Sequence, residues 1–440
     1  MSISRRTKAT AVAASTLLAL AACSSGTDNA GGTSTDAPAT DSGTPVTIEY
    51  LHRLPDGEGM TLVNDIVARW NEEHPDIQVK ATKFDGAPAD LNAKVKTDID
   101  NGVAPCLFQA GYADLAGLYV DGTVQDVTEF AKQYADKFGE GPFNSMAVDG
   151  KFFGLPQDTG PLVYFYDKAE FEALGLTVPT TAAEFVETAK AAAEKGKYIV
   201  SYQPDEASQI FSAMTAAAGG QWFGIDGDSW TVNVADKGSS AIQKFWQDLL
   251  DADAVAVVGR WTEDWGPLLN DNKLIGTIGA AWEAPLLQGD MAGSDNEGNW
   301  AIAQLPDFGD GAASGPDGGS GVVVSKTCEF PQQAMEFNAW FNTQVNDLAS
   351  QGLVVAATEQ PSAPAYAAFY GGQDVLAEFT KANDAMNAFT FIPGWASVMT
   401  TLNTDSAGAG DGSKTVSDVF MAGAETAKQA LTNAGLKVAE

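Results

Sequence analysis

Between residues 46 and 110 the apolar residues keep switching between two spacings, and that alternation narrows the architectures open to the chain. Residues 46–51 are β-like, Leu62, Ile66 and Trp70 recur at helical spacing until Pro75, and Ile77, Val79 and Ala81 alternate with polar neighbours. Leu91, Val95 and Ile99 then mark a second helix, and 107–110 is a short apolar strand after Ala104-Pro105. Strand-helix-strand order needs crossover connections, so the reading is an α/β protein with a mostly parallel sheet flanked by helices. Farther along, strands are expected around 154–156 and 162–166, and helices over 182–195 and 239–250. The last carries Ile242, Phe245, Trp246 and Leu249 on one side as core. The Gly- and Asp-rich stretches 307–319 and 407–413 read as surface loops. At 440 residues and 45% hydrophobic content the chain can fill two packed lobes.

Ahead of this body stand Arg5, Arg6 and Lys8, an apolar run over 9–19, and Leu20-Ala21-Ala22-Cys23. This is the layout of an export leader, here residues 1–22, and its apolar run is shorter than the roughly 18 residues that span a bilayer. Arg5-Arg6 also hints at twin-arginine export, although ordinary leaders carry paired basic residues too. The Leu-Ala-Ala-Cys end resembles the lipobox of bacterial lipoproteins, which implies acylation of Cys23 and an anchor on the outer face of the cytoplasmic membrane. Residues 24–45 contain no large apolar side chain, so they are expected to tether the body rather than fold.

Asp and Glu number 58 against 25 Lys and Arg, and the excess grows once Arg5, Arg6 and Lys8 leave with the leader. A field of that sign repels polyanions, so nucleic acid is excluded as a partner. His52 and His74 stand alone, with no Gly-x-Ser-x-Gly elbow, no metal-ligand spacing, no glycine-rich nucleotide fingerprint and no phosphate loop. Triad catalysis, metals and nucleotide cofactors are therefore all unsupported. A glycoside hydrolase needs only two carboxylates and stays open as an alternative. With Cys23 given to lipid, Cys106 and Cys328 read either as a disulfide, as an oxidising compartment favours, or as two buried thiols.

Several fragments, in order, resemble the family 1 extracellular solute-binding proteins of ATP-driven sugar importers, a group that includes maltose-binding protein. They are residues 46–51, Ala104-Pro105-Cys106-Leu107-Phe108, residues 115–128 ending in Gln125-Asp126-Val127-Thr128, and Asp149-Gly150-Lys151-Phe152-Phe153-Gly154-Leu155-Pro156. Residues 163–168, 174–179 with Glu184-Phe185, Gly279-Ala280-Ala281-Trp282, 318–326 and 334–341 complete the series. The resemblance implies a two-lobed, hinged α/β fold with the ligand in the cleft. Lobe 1 would be 46–155 plus 318–362, and lobe 2 would be 156–317 plus 363–440. It implies a non-catalytic, monomeric protein without a cofactor, which closes on a neutral carbohydrate, an oligosaccharide by expectation, and hands it to a membrane permease. A charged solute such as a polyamine or peptide is a further alternative, to which the acidic surface would be congenial.

A sugar ring offers apolar C–H faces and a rim of hydroxyls, so its site needs aromatic platforms and polar partners at the rim. The resemblance assigns Trp282 and Trp395, the latter in Ile392-Pro393-Gly394-Trp395, as platforms, with Trp222 after Gly219-Gly220-Gln221 as a third. It assigns Asp158 to sugar hydroxyls where the chain passes the hinge. Gln109 and Tyr112 after one strand, and His52 and Arg53 after another, should open on the cleft, as strand ends do in α/β sheets. Glu283 joins them beside Trp282. The family fold also sets the strand after Cys106 antiparallel to the one before Cys328, which would bring the two cysteines together.

Overall fold

The computed structural model describes residues 45–439, apart from 58–59, 87, 297, 312 and 363–364. The leader, Cys23 and the tether as far as residue 44 lie outside them. The chain opens with strand β1 (Val46–His52), helix α1 (Val63–Glu73), β2 (Ile77–Lys83), α2 (Pro88–Asp100) and β3 (Leu107–Gly111). In α1 the residues Val63, Ile66, Val67 and Trp70 are buried on one face, and the Trp70 indole N–H donates to the Ile77 carbonyl at 2.8 Å. That bond ties the helix to the strand after it. β1 pairs in parallel with β2, from Val46 opposite Ile77 to His52 opposite Lys83, and in parallel with β3 at Tyr50 and Leu107.

After β4 (Gly154–Thr159), whose six residues are all buried, the chain leaves this sheet and enters β5 (Leu162–Asp167). There follow α3 (Ala182–Ala193), α4 (Ala207–Ala217), α5 (Lys237–Asp251), β6 (Gly276–Ala280) and β7 (Trp300–Ala303), with β6 and β7 flanking β5 antiparallel. α3 and α5 start at caps, Thr181 and Asp236, whose side chains accept from the backbone N–H groups of Glu184 and Ser239. The chain then returns to the first sheet as β8 (Ser320–Val324), α6 (Pro331–Phe341) and β9 (Val354–Val355), before crossing back to α7 (Trp395–Gly410) and α8 (Val416–Asn433).

Buried apolar residues gather accordingly. One cluster draws on residues 48–155 and 322–357, while two others draw on 162–308 and 366–431. The molecule is thus two-lobed, with each lobe built from separate chain segments. The outgoing and returning segments that connect the lobes, the hinge region, touch each other: Asp317 N donates to the Gly160 carbonyl at 2.7 Å, Leu162 N donates to the Gly315 carbonyl at 3.1 Å, and Pro161 bridges Pro316. A Cβ on Gly160 would overlap the Asp317 carbonyl, so the two segments approach as closely as they do because that residue has none.

Three expectations need correction. The sheets are mixed rather than mostly parallel: the first runs β9-β4-β8-β3-β1-β2, with antiparallel pairs at β8-β3, β8-β4 and β9-β4, and β6-β5-β7 is antiparallel throughout. A helical crossover forces parallel pairing only between the strands it joins, and β4 and β8 reach or leave the first sheet through the hinge. The loop expected over 407–413 is helical to Gly410, because its small residues serve close packing; a Cβ on Gly410 would press on Val257. The stretch 307–319 is a loop as expected, but not all of it lies at the surface: around the isolated bridges at Ser314 and Pro316 it is buried, with Asp317 only 2% exposed.

Cys106 and Cys328 are disulfide-bonded, with Cα atoms 4.5 Å apart. β8 lies antiparallel to β3 with Val324 opposite Leu107, so each cysteine sits just beyond that paired end. Among the described residues no helix is long and apolar enough to cross a membrane.

Candidate functional site

On the first lobe, strand ends at the hinge gather most of the polar residues expected there. Asp158, next to the end of β4, accepts from the Ser320 hydroxyl. Ser320 Oγ accepts from Gln109 Nε2 at 3.0 Å, and Gln109 Oε1 accepts from the Arg53 backbone N–H at 2.8 Å. The Tyr112 hydroxyl donates to the Asp158 carbonyl at 2.8 Å. Three strands and one turn thus hold Asp158, Ser320, Gln109 and Tyr112 in a single connected network. The Arg53 side chain turns away, its Nε donating to the Gly86 carbonyl at 2.8 Å. His52, 1% exposed, is buried beside Tyr50, and burial lowers its pKa to about 4, so it is neutral at pH 7. Burial also raises the Asp158 carboxyl to about 6.

The hinge-facing part of the second lobe holds Trp282 and Glu283, on the short turn that follows β6. The Trp282 indole N–H donates to the Asp317 backbone carbonyl at 3.0 Å, fixing a half-buried ring against the returning connecting segment. Glu283 is buried and paired: Arg260 Nε donates to it at 2.7 Å, and the Ala280 N–H donates at 3.1 Å. Glu283 therefore positions other groups. The Arg260 guanidinium also reaches Asp290 at 3.1 Å and lies over the rings of Trp261 and Trp265, 4.8 and 4.7 Å from their centroids.

Trp261, 57% exposed, lies parallel to Trp282 within 4°, with ring centroids 6.3 Å apart. Its indole N–H donates to Glu206, and the Asp205 carboxylate accepts from the backbone N–H groups of Arg260 and Trp261 at 2.8 and 2.9 Å. Desolvation raises Glu206 to about 7, with Glu283 and Asp205 adding to the shift. Burial raises the Asp317 carboxyl well above the usual carboxylate range, and Glu206 and Glu283 push it the same way. The site thus joins two flat apolar rings to Glu206, raised to about 7, and to Asp317, whose burial favours its neutral form.

Trp222 and Trp395 are elsewhere. Each is 2% exposed, their centroids lie 6.1 Å apart, and both pack among Phe223 and Phe389 in the core of the second lobe. Neither presents a free face, because the aromatic cluster occupies them. The helix that Trp395 begins does pack against the Tyr112–Asp114 turn of the first lobe.

Sequence reasoning missed Trp261, Arg260, Glu206 and Asp317. The first two were legible as an aromatic beside a cation in Gly259-Arg260-Trp261-Thr262-Glu263-Asp264, a polar stretch without strand or helix spacing. Asp317 was hidden by its loop-like context, Gly315-Pro316-Asp317-Gly318-Gly319.

Residues 55–346 match the family model of the bacterial extracellular solute-binding proteins. A solved galacto-N-biose-/lacto-N-biose I-binding protein of an ABC transporter from Bifidobacterium longum, in complex with lacto-N-biose, is 52% identical; the match covers 91% of this chain and 100% of that one, with a TM-score of 0.88. An ABC transporter associated binding protein from B. animalis subsp. lactis Bl-04, in complex with beta-1,6-galactobiose, is 22% identical over 90% of this chain and 100% of its own, with a TM-score of 0.75. The arabinooligosaccharide-binding protein of Halalkalibacterium halodurans is 24% identical over 68% of this chain and 67% of its own.

Proposed function

Because the chain belongs to the bacterial extracellular solute-binding proteins, we propose that it captures a neutral saccharide between its lobes and delivers it, unchanged, to the permease of an ABC importer. Members of the family bind solutes and do not transform them, so the glycoside hydrolase alternative falls away. The observation that carries the saccharide reading is the half-buried Trp282 ring at the hinge, set between Asp317 and Trp261 on its own side and within the same hinge segment as the Asp158-Ser320-Gln109 network. The resemblance to a lacto-N-biose-binding protein at 52% identity supports the same class of ligand. Hinge closure around the sugar would give the permease a shape by which to tell loaded protein from empty.

A glycan panel read by thermal shift tests this. A saccharide present at 100 times its dissociation constant adds about 2.7 kcal/mol of stability, and a panel without any shift rejects the reading. Buried Glu283 and Asp317 with half-buried Glu206, of which Glu283 alone forms an ion pair with Arg260, favour one competing solute, a cation. Calorimetry across salt concentrations separates the two, since the affinity of a neutral sugar hardly responds to ionic strength while that of a cation falls.

The same proposal anchors the protein outside the cell by a diacylglycerol on Cys23, with residues 24–45 as tether. Mass spectrometry of the mature N-terminus should find the acylated cysteine, and Cys23→Ser should release the protein into the medium.

A further inference from the structure

Resting on the saccharide reading, we propose that Trp261 is a specificity-determining residue that ends the binding site on one side of Trp282 and so restricts the cleft to short saccharides. The two indoles are parallel within 4° and their centroids are 6.3 Å apart, so the spacing between their planes cannot exceed that distance. A pyranose in contact with both would need two carbon–carbon contact layers of about 3.5 to 4 Å each, or roughly 7 to 8 Å. No sugar ring fits between them at any lateral offset, so whatever part of the Trp282 face Trp261 overlies is closed to the glycan.

Whether Trp261 can swing aside decides the matter, and its attachments hold it in place. Its backbone N–H and that of Arg260 both donate to the Asp205 carboxylate, its indole N–H donates to Glu206, and the Arg260 guanidinium lies over its ring. That guanidinium is itself held by Glu283 and Asp290. The loop is braced further by Asn403 of α7, whose Nδ2 donates to the Asp205 carbonyl at 2.7 Å. A large ring that is 57% exposed yet fixed by this many partners is a preformed wall.

The test compares dissociation constants for lacto-N-biose, for maltose, and for tri- and tetrasaccharides extended from each. It uses the unaltered protein, Trp261→Ala and Trp261→Phe. The unaltered protein should bind its preferred disaccharide at least tenfold more tightly than the matching tetrasaccharide. Trp261→Ala should bring that ratio close to one, and Trp261→Phe, which keeps a ring in place, should retain most of it. A ratio near one in the unaltered protein overturns the proposal. So does a Trp261→Ala variant that loses affinity equally for every chain length, because Trp261 would then be a platform or a purely structural residue. If the unaltered protein binds no saccharide at all, the broader reading falls and the wall falls with it; binding without length discrimination removes the wall alone.

Discussion

Tryptophans that look alike in the sequence separate by their surroundings once folded. Trp282 keeps part of its ring accessible beside the hinge, whereas Trp395 is enclosed by Phe223, Phe389 and Phe391. Trp282→Ala removes a stacking face worth about 0.5 to 1.5 kcal/mol beyond area, so calorimetry should show saccharide binding weakened by several-fold or more while the melting temperature changes little. Trp395→Ala opens a hole in a packed core at a cost of roughly 3 to 5 kcal/mol, to be read from chemical denaturation. If the two variants behave in the reverse sense, the assignment of platform and core must be exchanged. Both residues follow small residues, Trp282 after Gly279-Ala280-Ala281 and Trp395 after Gly394, and nothing local marks which ring stays free. The difference arises from aromatic residues far away in the chain, and one sequence read alone does not place those neighbours.

Among the elements, those formed by near neighbours in sequence were read most faithfully. The apolar spacings of α1, β2, α2, β3 and α5 each led to the element found, since burial of one face fixes both its type and its extent. The misreadings fell where small residues meet a distant partner, as at Gly410 against Val257 and at Gly160 against Asp317. Gly160→Ala should therefore disturb the hinge more than either lobe, lowering saccharide affinity by at least tenfold in calorimetry while far-ultraviolet dichroism stays native. Unchanged affinity would remove the close approach from the argument. The bond between Cys106 and Cys328 staples two strands separated by 222 residues, and by loop-closure entropy its loss costs up to roughly 5 kcal/mol. The double variant Cys106→Ser/Cys328→Ser should unfold at lower denaturant, and an unshifted midpoint would show that the bond contributes nothing in solution.

For the molecule as a whole, the α/β class was legible in the order of strands and helices, while the two lobes and the antiparallel β3–β8 pair followed from chain length and the family resemblance; the remaining antiparallel pairs were not legible, because chain order does not reveal which strands arrive across a hinge. Charge acts at this scale too. Asp158 and Glu206 are raised to about 6 and about 7, both chiefly by burial, so the folded protein retains protons that the unfolded chain would already have released. Their stabilising contribution is complete below the ordinary carboxylate pKa and is lost as pH rises through 6 to 7. Scanning calorimetry should find a higher melting temperature at pH 5 than at pH 8, with a smaller difference in Glu206→Gln; a melting temperature that climbs across this window contradicts the assignment. Finally, β8 lies between β3 and β4, so the first sheet has a gap at its centre until residue 324 has been made. A ribosome must therefore synthesise about three-quarters of the polypeptide before that sheet can close, so the first lobe reaches its final pairing late in synthesis, whatever its earlier segments have formed by then.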